Sequence, residues 1–148
     1  MRLADGVRIN SCRRANPIGG DTYTVFSTVG SGKITIGEGS GISNSAIVAR
    51  QSVEIGKNVR IGGGCQIFDN DFHSLQYQKR ISAHDDDIAA KSIVIKDGAF
   101  LGARCLILKG VTIGENSVIG AGSVVTKSVP DREIWAGNPA RFIKSVAE

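Results

Sequence analysis

Residues 93–129 read IVIKDGAFLGARCLILKGVTIGENSVIGAGSVVTKSV, and within them a large aliphatic returns every six residues, at Ile95, Leu101, Ile107, Ile113, Ile119 and Val125. Four residues after each comes Ala99, Cys105, Val111, Ser117, Ser123 or Val129, mostly small. This period does not fit an α-helix, whose 3.6 residues per turn would carry the stripe off its face. It is an even number, so a strand brings every sixth side chain to the same side. The pattern predicts a short strand and a turn per hexamer, stacked as coils around a dry interior. Gly102, Gly114 and Gly120 directly follow an aliphatic and ease the bend at the corners.

The same beat runs earlier. Ile36, Ile42 and Val48 are six apart, as are Ile55, Ile61 and Ile67, while the step from Val48 to Ile55 is seven and predicts one longer turn. We therefore expect an all-β parallel β-helix over residues 34–130, an irregular N-terminal cap over 1–33, and a C-terminal segment, 131–148, packed on the helix. Within the cap, the apolar stretch Tyr23–Val29 reads as a strand or as part of the cap. Between Ile67 and Ile95 the phase is lost over 28 residues, which six does not divide. The intervening residues 68–92, FDNDFHSLQYQKRISAHDDDIAAKS, are polar and hold both histidines, His73 and His84. Insertions into repeats project from one face, often the binding face, so chemistry is expected on this loop.

Composition sets the outer bounds. A chain of 148 residues is long enough for one domain with a real core. Nineteen glycines against three prolines, with regularly placed Ile and Val, rule against low-complexity disorder. A net charge of +4 and a pI near 9.2 suit an anionic small ligand. Nucleic acid is not expected, because the basic residues are not interleaved with aromatics and no reader motif is present. No apolar run is long enough for a signal peptide or a membrane span, so the chain reads as cytoplasmic with reduced thiols. Cys12, Cys65 and Cys105 are odd in number with no C-x-x-C spacing, and two fall inside the repeat, where a small buried residue is wanted. They read as structural.

The hexapeptide runs, the histidine-bearing loop, the stretch GVTIGENSVIGAGSVVTKSVP at 110–130 and AGNPARFIK at 136–144 resemble the hexapeptide-repeat acyltransferases. Within that superfamily the chain looks like the group of galactoside and maltose O-acetyltransferases and the capsule and O-antigen O-acetyltransferases. The resemblance covers roughly residues 34–145. It implies a left-handed parallel β-helix, a homotrimer, and acetyl-CoA bound in clefts between subunits. The general crossover rule favours the opposite hand, so the handedness is implied by resemblance alone.

His73 matches the histidine these enzymes use as general base. The chemistry suits it, since imidazole takes a proton near neutral pH from a hydroxyl that is otherwise a weak nucleophile. Asn70 and Asp71 are alternative orienters of the imidazole or the acceptor. Ala103, Ala121, Thr126, Lys127 and Arg141 match positions that contact acetyl-CoA in such enzymes, and Lys144 falls where relatives often carry a further basic residue. Small residues let the pantetheine arm lie close to the coil, and Lys127 and Arg141 would offer charge to phosphates. Asn44 and Arg50 fall where the galactoside enzyme contacts its sugar, but Arg50 replaces a carboxylate there. That departure, and a missing helical segment before the repeats, argue for an acceptor that is neither galactoside nor maltose. Phe100 stands where the family commonly has Trp, keeping the apolar contact and losing an indole donor. Trp135 reads equally as an adenine contact or as a cover for the coil end.

His84 beside Asp85, Asp86 and Asp87 reads as a solvated loop rather than a metal site, because three adjacent aspartates cannot aim at one ion. Zinc-dependent β-helix carbonic anhydrases need three histidines, and this chain has two. The expectation is an acetyl-CoA-dependent O-acetyltransferase acting on a hydroxyl of a sugar or polysaccharide precursor, without a metal. Its rivals are an N-acetyltransferase acting on an amino sugar nucleotide and a non-catalytic β-helix scaffold.

Overall fold

The computed structural model describes residues 1–82 and 87–147. Five successive coils, each of three strands, wind up the molecule. They are β1 (Arg2–Leu3), β2 (Arg8–Asn10) and β3 (Val25–Thr28); β4 (Lys33–Ile36), β5 (Gly41–Ser43) and β6 (Ala46–Ala49); β7 (Ser52–Ile55), β8 (Arg60–Ile61) and β9 (Gln66–Phe68); β10 (Ile93–Ile95), β11 (Phe100–Leu101) and β12 (Leu106–Ile107); and β13 (Thr112–Ile113), β14 (Val118–Ile119) and β15 (Val124–Val125). A hairpin of β16 (Glu133–Gly137) and β17 (Ala140–Ser145) closes the top. Each strand of the coils pairs in parallel with the strand three places on, giving sheet A (β1, β4, β7, β10, β13), sheet B (β2, β5, β8, β11, β14, then β16 and β17) and sheet C (β3, β6, β9, β12, β15). The result is a left-handed parallel β-helix with three flat sides.

The hexapeptide reading holds in the interior. Ile95, Leu101, Ile107, Ile113, Ile119 and Val125 are all 0% exposed, and the small positions from Ala99 to Val129 are buried beside them. Burying each large aliphatic stabilises the stack by about 1.5–3 kcal/mol. The buried serines are satisfied by the backbone of the next turn. Ser117 Oγ donates to Pro130 O and accepts from Glu133 N, and Ser123 Oγ donates to Gly120 O and accepts from Gly137 N.

Two expectations change. Val48 faces outward, half-buried, and the inward residue of β6 is Ile47, which pairs with Ile67. The B-to-C corner of that coil is one residue short, and the following C-to-A turn absorbs the difference. Residues 1–33 are not an irregular cap, because β1, β2 and β3 place one strand in each sheet and pair in register with β4, β5 and β6. Only residues 11–24, between β2 and β3, stand outside the coil path, with a 3-10 turn at Pro17–Gly19.

Trp135 sits on β16 beside Ile119 and packs on the core, its indole N–H donating to Glu133 Oε2 at 2.6 Å. It covers the end of the coil. Cys65 and Cys105 lie buried in adjacent coils, as structural residues. The hydrogen-bonded Cys105 thiol and burial push the Cys65 thiol well above the ordinary thiol range, so it is held protonated. Among the described residues no helix is long and apolar enough to cross a membrane.

Candidate active site

The loop 68–92 leaves β9 and returns at β10, at the C–A edge of the third coil. Its neck is a short antiparallel ladder: Asp71 N donates to Ala89 O at 3.1 Å, Lys91 N donates to Asp69 O at 2.8 Å, and Asn70 bridges Ala90. Asp69, 0% exposed, fixes this neck to the coil below, since its two carboxylate oxygens accept from Arg50 N and Gln51 N, each at 2.7 Å. This is the turn that the seven-residue step from Val48 to Ile55 marks as one residue longer than the others. Asp69 holds it open and the loop down at once.

Beyond the neck the chain turns sharply. Phe72 adopts a left-handed φ of 61°, and Asn70 Oδ1 accepts from Phe72 N at 2.9 Å. The Phe72 ring packs edge-on against Phe68 at 5.1 Å between centroids. His73 N donates to Asp71 O at 2.7 Å, and the side chain of His73 lies exposed at the coil edge. Ser74 is buried, and its carbonyl takes the Arg80 guanidinium at 2.9 Å from the short helix α1 (Tyr77–Arg80). Asp87, the last of the acidic run, pairs with Lys79. His84, Asp85 and Asp86 lie outside the described residues.

Asp71 is paired through Oδ1 with Lys109 of the next coil, while its Oδ2 is buried with no hydrogen-bond partner among the described residues. This unpartnered acceptor belongs to the residue whose carbonyl takes the His73 N–H, so it lies on the same turn as the histidine. Lys109 was not singled out from sequence. The signal was there, because Lys109 follows inward Ile107 by two, as Lys127 follows inward Val125, one full coil apart. Asp69 was missed as well, since its partners are backbone N–H groups 18 and 19 residues earlier.

The remaining candidate residues divide among three places. Arg50 is half-buried at the C–A edge, directly below the loop neck, and Thr126 and Lys127 are exposed higher on that edge. Ala103 and Ala121 lie across sheet C, at the B–C edge, where they border a groove of about 650 Å³. Arg141 and Lys144 are exposed on β17. Asn44 is on the same B–C edge, two coils below Ala103. It is 1% exposed at the B–C corner with a left-handed φ of 44°, and its amide donates to Thr22 O. Phe100 is exposed on the outer face of sheet B beside Arg60. A single chain thus holds the loop on one edge and the groove on another.

Comparison with known proteins fits this geometry. The model for the bacterial transferase hexapeptide (six repeats) matches residues 92–127. The crystal structure of a hexapeptide-repeat acetyltransferase of Vibrio cholerae O1 biovar eltor, complexed with acetyl coenzyme A, superposes with a TM-score of 0.76 at 30% identity, over 100% of this chain and 71% of that one. The maltose O-acetyltransferase of Clostridium difficile 630 gives 0.71 at 29% identity, over 100% and 70%. The galactoside O-acetyltransferase of Escherichia coli K12 is 36% identical over 103 residues, which is 70% of this chain and 49% of that enzyme. The chain belongs to the hexapeptide-repeat acetyltransferases. It spans about half the length of the relatives it matches by sequence, 44% to 56% for those most similar.

Proposed function

We propose that the chain is an O-acetyltransferase that moves acetyl from acetyl-CoA to a hydroxyl of a sugar or polysaccharide precursor, with His73 as general base. The observation that carries this reading is the placing of His73, exposed on the longest interruption of the described coils, two residues after the paired carboxylate of Asp71. The hydroxyl oxygen attacks the thioester carbonyl as His73 takes its proton. The tetrahedral intermediate then expels the coenzyme thiolate, and the imidazolium returns the proton to that sulfur. Backbone N–H groups of the coil edge are the donors available to the transient oxyanion. Asp71 Oδ2 is the group to hold the imidazole or the acceptor, and Lys109 holds Asp71 in place.

The donor lies along the B–C edge, its pantetheine against Ala103 and Ala121, with Arg141 and Lys144 serving its phosphates together with Lys127 of the copy that supplies the loop. Because the His73 loop and this groove sit on different edges of one chain, each site is built from two copies in a homotrimer. The outer face of sheet C supports this assembly: Val48, Phe68, Leu106, Leu108 and Val124 lie on it half-buried in the single chain, an apolar surface flanked by both parts of the site.

The test is release of thiol from acetyl-CoA across a panel of sugars, sugar nucleotides and amino sugars. The reading expects acceptor-dependent release with a hydroxyl sugar and an O-acetyl product. Release only with amino sugars, giving an amide, would replace O- by N-acetylation, and no release with any acceptor would end the enzymatic reading.

A further inference from the structure

Residues 11–24 leave the coil path after β2, run up the B–C edge and rejoin at β3. They are firmly held. Asn16 Oδ1 accepts from Ile18 N at 3.0 Å, Thr22 Oγ1 donates to Gly19 O at 2.6 Å, Thr24 Oγ1 donates to Asn10 O at 2.6 Å, and the Asn44 amide donates to Thr22 O. The segment docks by close backbone approach. A Cβ on Gly19 would stand 2.2 Å from Asn44 Cβ, and one on Gly63 would stand 2.7 Å from Gly19 N. Both positions therefore require glycine. Asn44, expected to touch an acceptor, is the pin for this segment.

Held so tightly, the segment still leaves Ile18 58% exposed. The Ile18 side chain and Arg104 border the groove of about 650 Å³ that runs past Ala103 and Ala121. The same two residues border a second groove of about 440 Å³ that leads toward Gln66 and Leu106 on sheet C. Ile18 thus stands where two hollows meet.

The polarity of the stack says which part of a donor reaches it. The cations Lys127, Arg141 and Lys144 belong to the C-terminal end, so the phosphates of a coenzyme lie there and its arm points down the coils. Passing Ala121 of the fifth coil and then Ala103 of the fourth, the arm brings its thioester to the level of the third coil, the coil from which the His73 loop departs. What projects past the sulfur is the acyl chain, and the side chain waiting there is Ile18.

Resting on the donor placement above, we propose that Ile18 is the end wall of the donor groove and sets the length of acyl chain accepted. Acetyl ends short of the wall, whereas a longer chain runs into Ile18. A rigid wall is what the hydrogen bonds of the segment provide.

The test compares kcat/KM for acetyl-CoA and butyryl-CoA with one acceptor, in wild type and in Ile18→Ala. A pocket excludes surplus methylenes by about tenfold or more each, so wild type should prefer acetyl by at least about tenfold. Ile18→Ala should raise the butyryl-to-acetyl ratio about tenfold or more. Because both donors report on the same enzyme preparation, partial loss of folded protein leaves the ratio unmoved. An unchanged ratio in Ile18→Ala, or a wild type that uses both donors equally, overturns the wall and leaves the acetyltransferase reading standing. Absence of thiol release from either donor with every acceptor overturns both.

Discussion

Replacing His73 with alanine should lower kcat/KM for acetyl transfer by about 10²–10⁴, the range over which a positioned general base contributes. Binding of acetyl-CoA, followed by calorimetry, should change little. The separation of the two effects follows from the geometry. His73 is exposed at the C–A edge, with its backbone N–H on Asp71 O, and it takes no part in the core. Its loss removes a proton acceptor without opening the fold, so the unfolding transition should stay in place. A His73→Ala protein with full activity would remove the histidine from the mechanism, and one that no longer binds coenzyme would make it a structural residue.

The second large effect is on stability. Asp69→Ala should cost about 2–4 kcal/mol, because two backbone N–H groups lose their shared acceptor at once. Asp69 is 0% exposed and takes Arg50 N and Gln51 N at 2.7 Å each, while its own carbonyl accepts from Lys91 N at the far side of the loop neck. Asp69→Asn should be nearly as damaging. A carboxamide offers one acceptor oxygen and turns its NH₂ toward the second N–H, setting donor against donor. Urea unfolding measures both, and a change below about 0.5 kcal/mol for either variant would show that the turn at Arg50–Gln51 does not depend on this carboxylate.

Both residues bear on how much of the molecule was legible in its sequence. The coils from Ile95 to Val125 could be read directly, because an unbroken period of six, with glycine after Leu101, Ile113 and Ile119, fixes the inward position even where Leu106 and Leu108 flank Ile107. Ala46-Ile47-Val48-Ala49 offers no such contrast, and a corner shortened by one residue moved the true inward position from Val48 to Ile47. The first coil was hidden for another reason. β1 and β2 are exposed along their whole length, so they carry no burial pattern, and only pairing with β4 and β5 makes them strands. Residues 11–24 then break the phase before β3.

At the site, the sequence pointed to the loop because the repeat failed there. Its fastening was not visible, since Asp69 works through backbone groups of the preceding coil and Lys109 reaches Asp71 from the following one. Asn44 shows another limit: its structural role, a buried amide holding residues 11–24, is set by a partner 22 residues earlier and could not be read from the repeat.

The most direct test of a site shared between copies uses two variants that are each inactive. His73→Ala removes the base from the loop, and Ala121→Trp fills the donor groove. Co-expressed with distinct tags and purified as mixed trimers, the two should recover about a third of wild-type activity, because in every mixed trimer one of the three interfaces brings an intact loop to an intact groove. Purified mixed oligomers with no recovered activity, or a fully active monomer, would contradict the account.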